Sequence, residues 1–152
     1  MSYQCELKQW YARPTLAIRT RAAVQDLPRV FEQVYGAIGH YLGELGEPPA
    51  GPPFAAYHNM DMQDLDVEIG FPVTRELPGR DDIQAGQLPE GRVATCLHTG
   101  PYSDMEPAYA ALSQWMEENG YEPTGVAYEM YLSDPQETPP DRHQTQIAFP
   151  LK

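Results

Sequence analysis

The chain has 152 residues, room for one domain with a real core, and 41% apolar residues with ten tyrosines describe a globular protein despite sixteen prolines. Ten basic residues against twenty-two acidic ones give a net charge of −12, which repels phosphate backbones, argues against direct nucleic-acid binding and favours a cationic ligand. No stretch is apolar enough for a membrane span, and MSYQCELKQW lacks the regions of a signal peptide, so a cytoplasmic location without membrane attachment is expected.

In chain order, a flanking strand is predicted near Tyr3 to Trp10 and a second strand from Pro14 to Arg21. Asp26 then caps a helix whose apolar residues Leu27, Val30, Phe31, Val34, Ile38, Leu42 and Leu45 recur at helical spacing, and Gly46 ends it. Strands follow near Phe54 to Asn59 and Leu65 to Val73, joined by a short polar turn, with another flanking strand near Ile83 to Leu88. Arg92 to His98 reads as a strand. The capping box Ser103-Asp104-Met105-Glu106 opens a second helix with a buried stripe of Met105, Tyr109, Leu112 and Met116 and a stop at Gly120. The last two strands are Val126 to Ser133 and Thr145 to Leu151.

The two halves repeat each other. Glu68-Ile69-Gly70-Phe71-Pro72-Val73 matches Gln146-Ile147-Ala148-Phe149-Pro150-Leu151 at an offset of 78, while Tyr35, Ile38, Tyr41, Leu42, Gly46 and Tyr57 face Tyr109, Leu112, Trp115, Met116, Gly120 and Tyr131 at an offset of 74. The proline-rich SDPQETPPDRH supplies the longer second loop. The expected class is therefore α+β, a single domain over 1–152 built of two pseudo-symmetric β-α-β-β repeats, about 14–73 and 92–151, with antiparallel sheets.

Glu129 is the residue that asks for a function. It stands among Tyr128, Met130, Tyr131 and Leu132, where an unpaired carboxylate costs several kcal/mol. Strand alternation puts Ala127, Glu129 and Tyr131 on one face and Tyr128, Met130 and Leu132 on the other, and the second set suits packing on a helix. The first set is then expected on the side of the sheet that the helix leaves uncovered. The repeat offsets add Ala55 and Tyr57, and Glu68 with Gln146 on the neighbouring strands. Tyrosine faces attract cations by about 0.5 to 2 kcal/mol each, and a buried carboxylate supplies the countercharge. The competing reading is a structural one, in which Glu129 is paired with a basic residue or a tyrosine hydroxyl.

Other chemistries find little support. His40, His58, His98 and His143 show no metal-binding spacing, so neither a metal nor a cofactor is expected. There is no nucleophile elbow, P-loop or dinucleotide fingerprint, and no catalytic residue is assigned. Cys5 and Cys96 form no C-x-x-C and read as reduced thiols. Trp115 and Phe54 read as core.

The segments HTGPYSDM, ENGYEP, YEMYLSDP, PFAAYHN and DVEIGFPV, in this order and spacing, resemble the GyrI-like small-molecule-binding family, which includes effector-binding domains of AraC- and MerR-type multidrug regulators. The resemblance runs from about residue 5 to the end. It implies two halves enclosing an aromatic-lined cavity for lipophilic, often cationic ligands, with Glu129 at the position of the family's acidic residue. Tyr102, in the HxGPY turn, is left with two readings, at the cavity mouth or stabilising the turn. The resemblance also implies two alternatives: a hydrolase of strained, cyclopropane-bearing compounds using the same pocket, and an inhibitor of DNA gyrase acting through a protein interface. With no room for a helix-turn-helix before Tyr3 or after Leu151, a free-standing binding domain is expected, or one that works with a separate protein partner.

Overall fold

Where the apolar period is two the chain forms strands, and where it is close to 3.6 it forms helices. In the computed structural model, which describes residues 3–101, 104–133 and 137–152, the elements are β1 (Cys5–Trp10), β2 (Pro14–Ala22), α1 (Leu27–Leu45), β3 (Phe54–Tyr57), β4 (Leu65–Pro72), β5 (Gln84–Gln87), β6 (Gly91–Thr99), α2 (Glu106–Glu118), β7 (Ala127–Tyr131) and β8 (Gln144–Pro150). The class is α+β with antiparallel pairing, as expected. The chain divides into two compact units, Tyr11–Pro89 and a second formed by β1 together with the chain from Glu90 onward. Among the described residues no helix is long and apolar enough to cross a membrane.

In the Tyr11–Pro89 unit the strand order is β3-β4-β2-β5. Helix α1 follows Asp26, whose side chain makes no capping bond, and Pro28 sits in the first turn, where its missing N–H costs nothing. Gly46 ends the helix at φ 68°, a left-handed conformation that glycine enters without a Cβ clash, and Glu47 N–H closes back onto Leu42 O. Leu27, Val34, Ile38, Tyr41 and Leu42 form the buried stripe. Tyr35 rests 5.3 Å from the Phe71 ring, which places β4's Phe71 face under α1. Antiparallel partners share a face, so Leu16, Ile18, Ala55, Tyr57, Val67 and Ile69 lie on this covered side. The opposite side carries Arg19 paired with Asp66 and Arg21 paired with Asp64.

In the second unit the order is β1-β6-β8-β7. Helix α2 buries Met105, Ala108, Leu112 and Met116 against Ala94, Cys96 and Ile147. Two details differ from expectation. The helix starts at Glu106 with Met105 as its cap, so Glu106 takes the first helical position and not the third that a capping box requires. Pro107 explains this start, since proline is favoured in a first turn; Ser103 lies outside the described residues. Ala108 fills the core place expected for Tyr109, which is only half-buried.

Two glycines of the first unit should respond in opposite senses to alanine. A Cβ on Gly70 would lie 2.2 Å from Leu16 O and 2.7 Å from Ala17 Cα, both backbone atoms, whereas a Cβ on Gly36, in mid-α1, would meet nothing within 4 Å. Urea unfolding should find Gly70→Ala destabilised by about 3 kcal/mol and Gly36→Ala stabilised by about 0.5 to 1 kcal/mol.

Candidate functional site

All five residues of β7 are buried, and Glu129 is 9% exposed. Its partner across β8 is Ile147, whose partner across β6 is Cys96. Both belong to the core beneath α2, so Glu129 and its same-face neighbours Ala127 and Tyr131 lie on the helix-covered side. This reverses the expected assignment: Tyr128 and Met130 point to the other face, where Trp10 meets Tyr128 edge-on at 5.7 Å. Alternation sorts a strand into two sets but does not say which set the helix covers.

The covered position gives Glu129 its partners. The Tyr109 hydroxyl, on the flank of α2, donates to Glu129 Oε2, and the Tyr131 hydroxyl donates to Oε1 at 2.8 Å. Among the described residues Glu129 forms no ion pair with Lys or Arg. Burial therefore pushes its carboxyl above the usual glutamate range, while the two tyrosine hydrogen bonds and then the charge of His98 pull it partly back. Tyr109 also packs edge-on against Phe149 at 6.0 Å, which sets aromatic surface beside the acid.

His98 is 2% exposed and held from two sides. Its Nε2 lies 3.1 Å from Pro101 O, which can only accept, so this nitrogen carries the proton; Nδ1 faces the Tyr3 hydroxyl at 3.5 Å. Thr145 lies in register between His98 and Tyr131. Its Oγ1 is buried with no hydrogen-bond partner among the described residues, a cost of about 1 to 3 kcal/mol.

The expected residue set is thus divided. Ala127, Glu129 and Tyr131 come together with Tyr109 and His98, but Gln146 is in register with Met130 and lies on the opposite face. In the other unit Ala55 and Tyr57 share the α1-covered face, while Glu68 lies on the reverse face, its Oε1 3.3 Å from His58 Nε2. Tyr102 lies outside the described residues. Sequence reasoning gave Tyr109 to the core and His98 to a turn. The available signal was chemical: a tyrosine on a buried helical stripe needs a partner for its hydroxyl, and Glu129 was the acid without one.

The chain matches the model of the GyrI-like small molecule binding domain over residues 3–152 and belongs to that family. No curated protein matches it. Among solved structures, the C-terminal domain of EcmrR superposes with a TM-score of 0.90 at 24% identity, covering 100% of this chain and 99% of that one. EcmrR in complex with DNA gives a TM-score of 0.86, also at 24% identity, over 99% of this chain and 57% of that one, so this chain spans little more than half of that regulator's length. A hydrolase from Listeria innocua has a TM-score of 0.71 at 18% identity, covering 98% and 92%, and SAV2435 bound to tetraphenylphosphonium has 0.70 at 12%, covering 100% and 94%. At these identities the likeness is one of fold.

The raised carboxyl sets a pH signature. Between the ordinary glutamate pKa, about 4.3, and the raised folded value, the folded protein holds a proton that the unfolded chain has lost. Glu129's contribution is then fullest below the unfolded pKa and is lost as pH rises through the folded one. Urea unfolding at a series of pH values should find wild type losing stability relative to Glu129→Gln as pH rises through that window.

Proposed function

We propose that this domain binds hydrophobic, cationic aromatic small molecules, with Glu129 as the charge partner. The observation that carries the reading is a buried carboxyl that two tyrosine hydroxyls satisfy and that, among the described residues, forms no ion pair with Lys or Arg. Tyrosine hydroxyls keep the acid tolerable in the free protein. A lipophilic cation gains the carboxylate's charge in a low-dielectric setting and the faces of Tyr109, Tyr131 and Phe149 as walls. The family's description as a small-molecule-binding domain supports this, as does a relative of the same fold that carries tetraphenylphosphonium, a lipophilic aromatic cation. The fold shared with EcmrR, itself seen on DNA, supports a role in sensing an effector for transcription regulation.

Ionisation and binding are linked in this reading. A cation beside Glu129 favours the charged form, so binding expels the carboxyl proton and affinity rises with pH until Glu129 is ionised in the free protein. A second reading is hydrolysis of a strained electrophile, with the Tyr109–Glu129 pair delivering or accepting a proton. It is supported by that hydrogen bond and by the fold shared with the Listeria hydrolase. The two readings part on turnover.

Titration with tetraphenylphosphonium and a neutral tetraphenyl isostere, followed by intrinsic fluorescence, tests the proposal. Binding of the cation with at least tenfold preference over the isostere, falling at least tenfold in Glu129→Gln, about 1.4 kcal/mol, is expected. Calorimetry in buffers of different ionisation enthalpy should register proton release. Equal binding of cation and isostere, or an unaffected mutant, removes Glu129 from the ligand's contacts.

A further inference from the structure

The two cysteines lie far apart in sequence but opposite each other in the fold. Cys5 on β1 and Cys96 on β6 are direct antiparallel partners, so their side chains leave the sheet on the same face. The backbone pattern tells which kind of pair they form. Leu151 N–H donates to Arg92 O and Gly100 N–H to His143 O, so the even-numbered residues of β6 turn their peptide groups toward β8. Cys96 is one of them and sends none toward β1. Across β1 and β6 the cysteines are therefore a non-hydrogen-bonded pair, the closer of the two types, with Cα atoms about 4.5 Å apart. A disulfide needs about 4.4 to 6.8 Å. Both cysteines are free thiols.

Access differs between them. Cys96 is fully buried in the core under α2, whereas Cys5 is half-buried and lines an open groove of about 530 Å³ with Tyr3, Pro107, Ala111 and Trp115. We propose that Cys5 and Cys96 are a redox pair that closes reversibly into a cross-strand disulfide when the protein meets hydrogen peroxide. The Cys5 thiolate attacks one peroxide oxygen, the O–O bond breaks and hydroxide leaves, giving a sulfenic acid on Cys5. The Cys96 sulfur then attacks the Cys5 sulfur, the S–O bond breaks, and the sulfenic oxygen leaves as water with the Cys96 proton. Two thiols are oxidised by two electrons, and the peroxide is reduced to two waters. Cys5 borders the groove and Cys96 is buried, so Cys5 is the sulfur that attacks and Cys96, whose thiol burial pushes up to about 12, the one that resolves. The bond ties edge strand β1 to β6 and closes a loop through all of Tyr11–Pro89.

The test uses the full chain, reduced, then treated with hydrogen peroxide and digested without reductant. Mass spectrometry should find the monomer lighter by two hydrogens, a peptide linking Cys5 to Cys96, and full reversal by dithiothreitol. In Cys96→Ala, Cys5 should accumulate as a sulfenic acid trapped by dimedone; in Cys5→Ser, Cys96 should stay a thiol. The oxidised monomer should unfold at least about 5 °C above the reduced one. The proposal is overturned by wild type whose Cys5 is oxidised while Cys96 stays a thiol, by disulfide-linked dimers in place of the internal bond, by thiols that both survive, or by an oxidised monomer with an equal or lower midpoint.

Discussion

An acid buried on a sheet with no Lys or Arg partner among the described residues has to be made tolerable by neutral donors, and the packing of α2 answers that requirement. Tyr109 donates from the helix and Tyr131 from the strand, one to each carboxylate oxygen. If Tyr109 took the core position its spacing suggests, both its hydroxyl and Glu129 would be left short of a partner, at about 1 to 3 kcal/mol each. The helix instead turns Ala108 inward and leaves Tyr109 on the flank. The helix phase, and with it the pairing of Leu112 and Met116 with β6 and β8, follows from a polar demand as much as from hydrophobic burial.

The other acids are treated differently. Asp64, Asp66, Glu44 and Glu47 each meet an arginine, and each is held below its ordinary value by that hydrogen bond. These pairs are exposed, and such pairs contribute little to stability. Glu129 is shifted in the opposite direction because burial outweighs its two tyrosines. A carboxyl moved away from its charged form in a protein this acidic is the kind of perturbation that accompanies binding or proton transfer.

Most of the secondary structure was legible because it rests on local signals. The 2 and 3.6 periods, Gly46 at the helix end and the proline-bounded strands all placed elements within a few residues of where they lie. What was not legible depended on which side of a sheet a helix settles. Glu129, Tyr131 and Ala127 were correctly grouped by alternation, yet they were sent to the wrong side, and Gln146 was joined to them although the register with Met130 puts it across the sheet. Facing is decided by the sum of core contacts under α2, among them Cys96 and Ile147, and no single strand encodes that sum. The start of α2 at Glu106 agrees with Pro107 in its first turn.

The placement of β1 also imposes an order on synthesis. Every partner of β2, β3, β4 and β5 described here within Tyr11–Pro89 is available once Pro89 has been made. Strand β1 is translated first and must wait for β6, as Glu6 and Thr95 are 89 positions apart. During that wait β1 offers unpaired peptide groups to any other nascent strand. Its alternation of Glu6 and Lys8 with less polar neighbours keeps charge on the waiting segment, so that it stays hydrated while its partner is still on the ribosome.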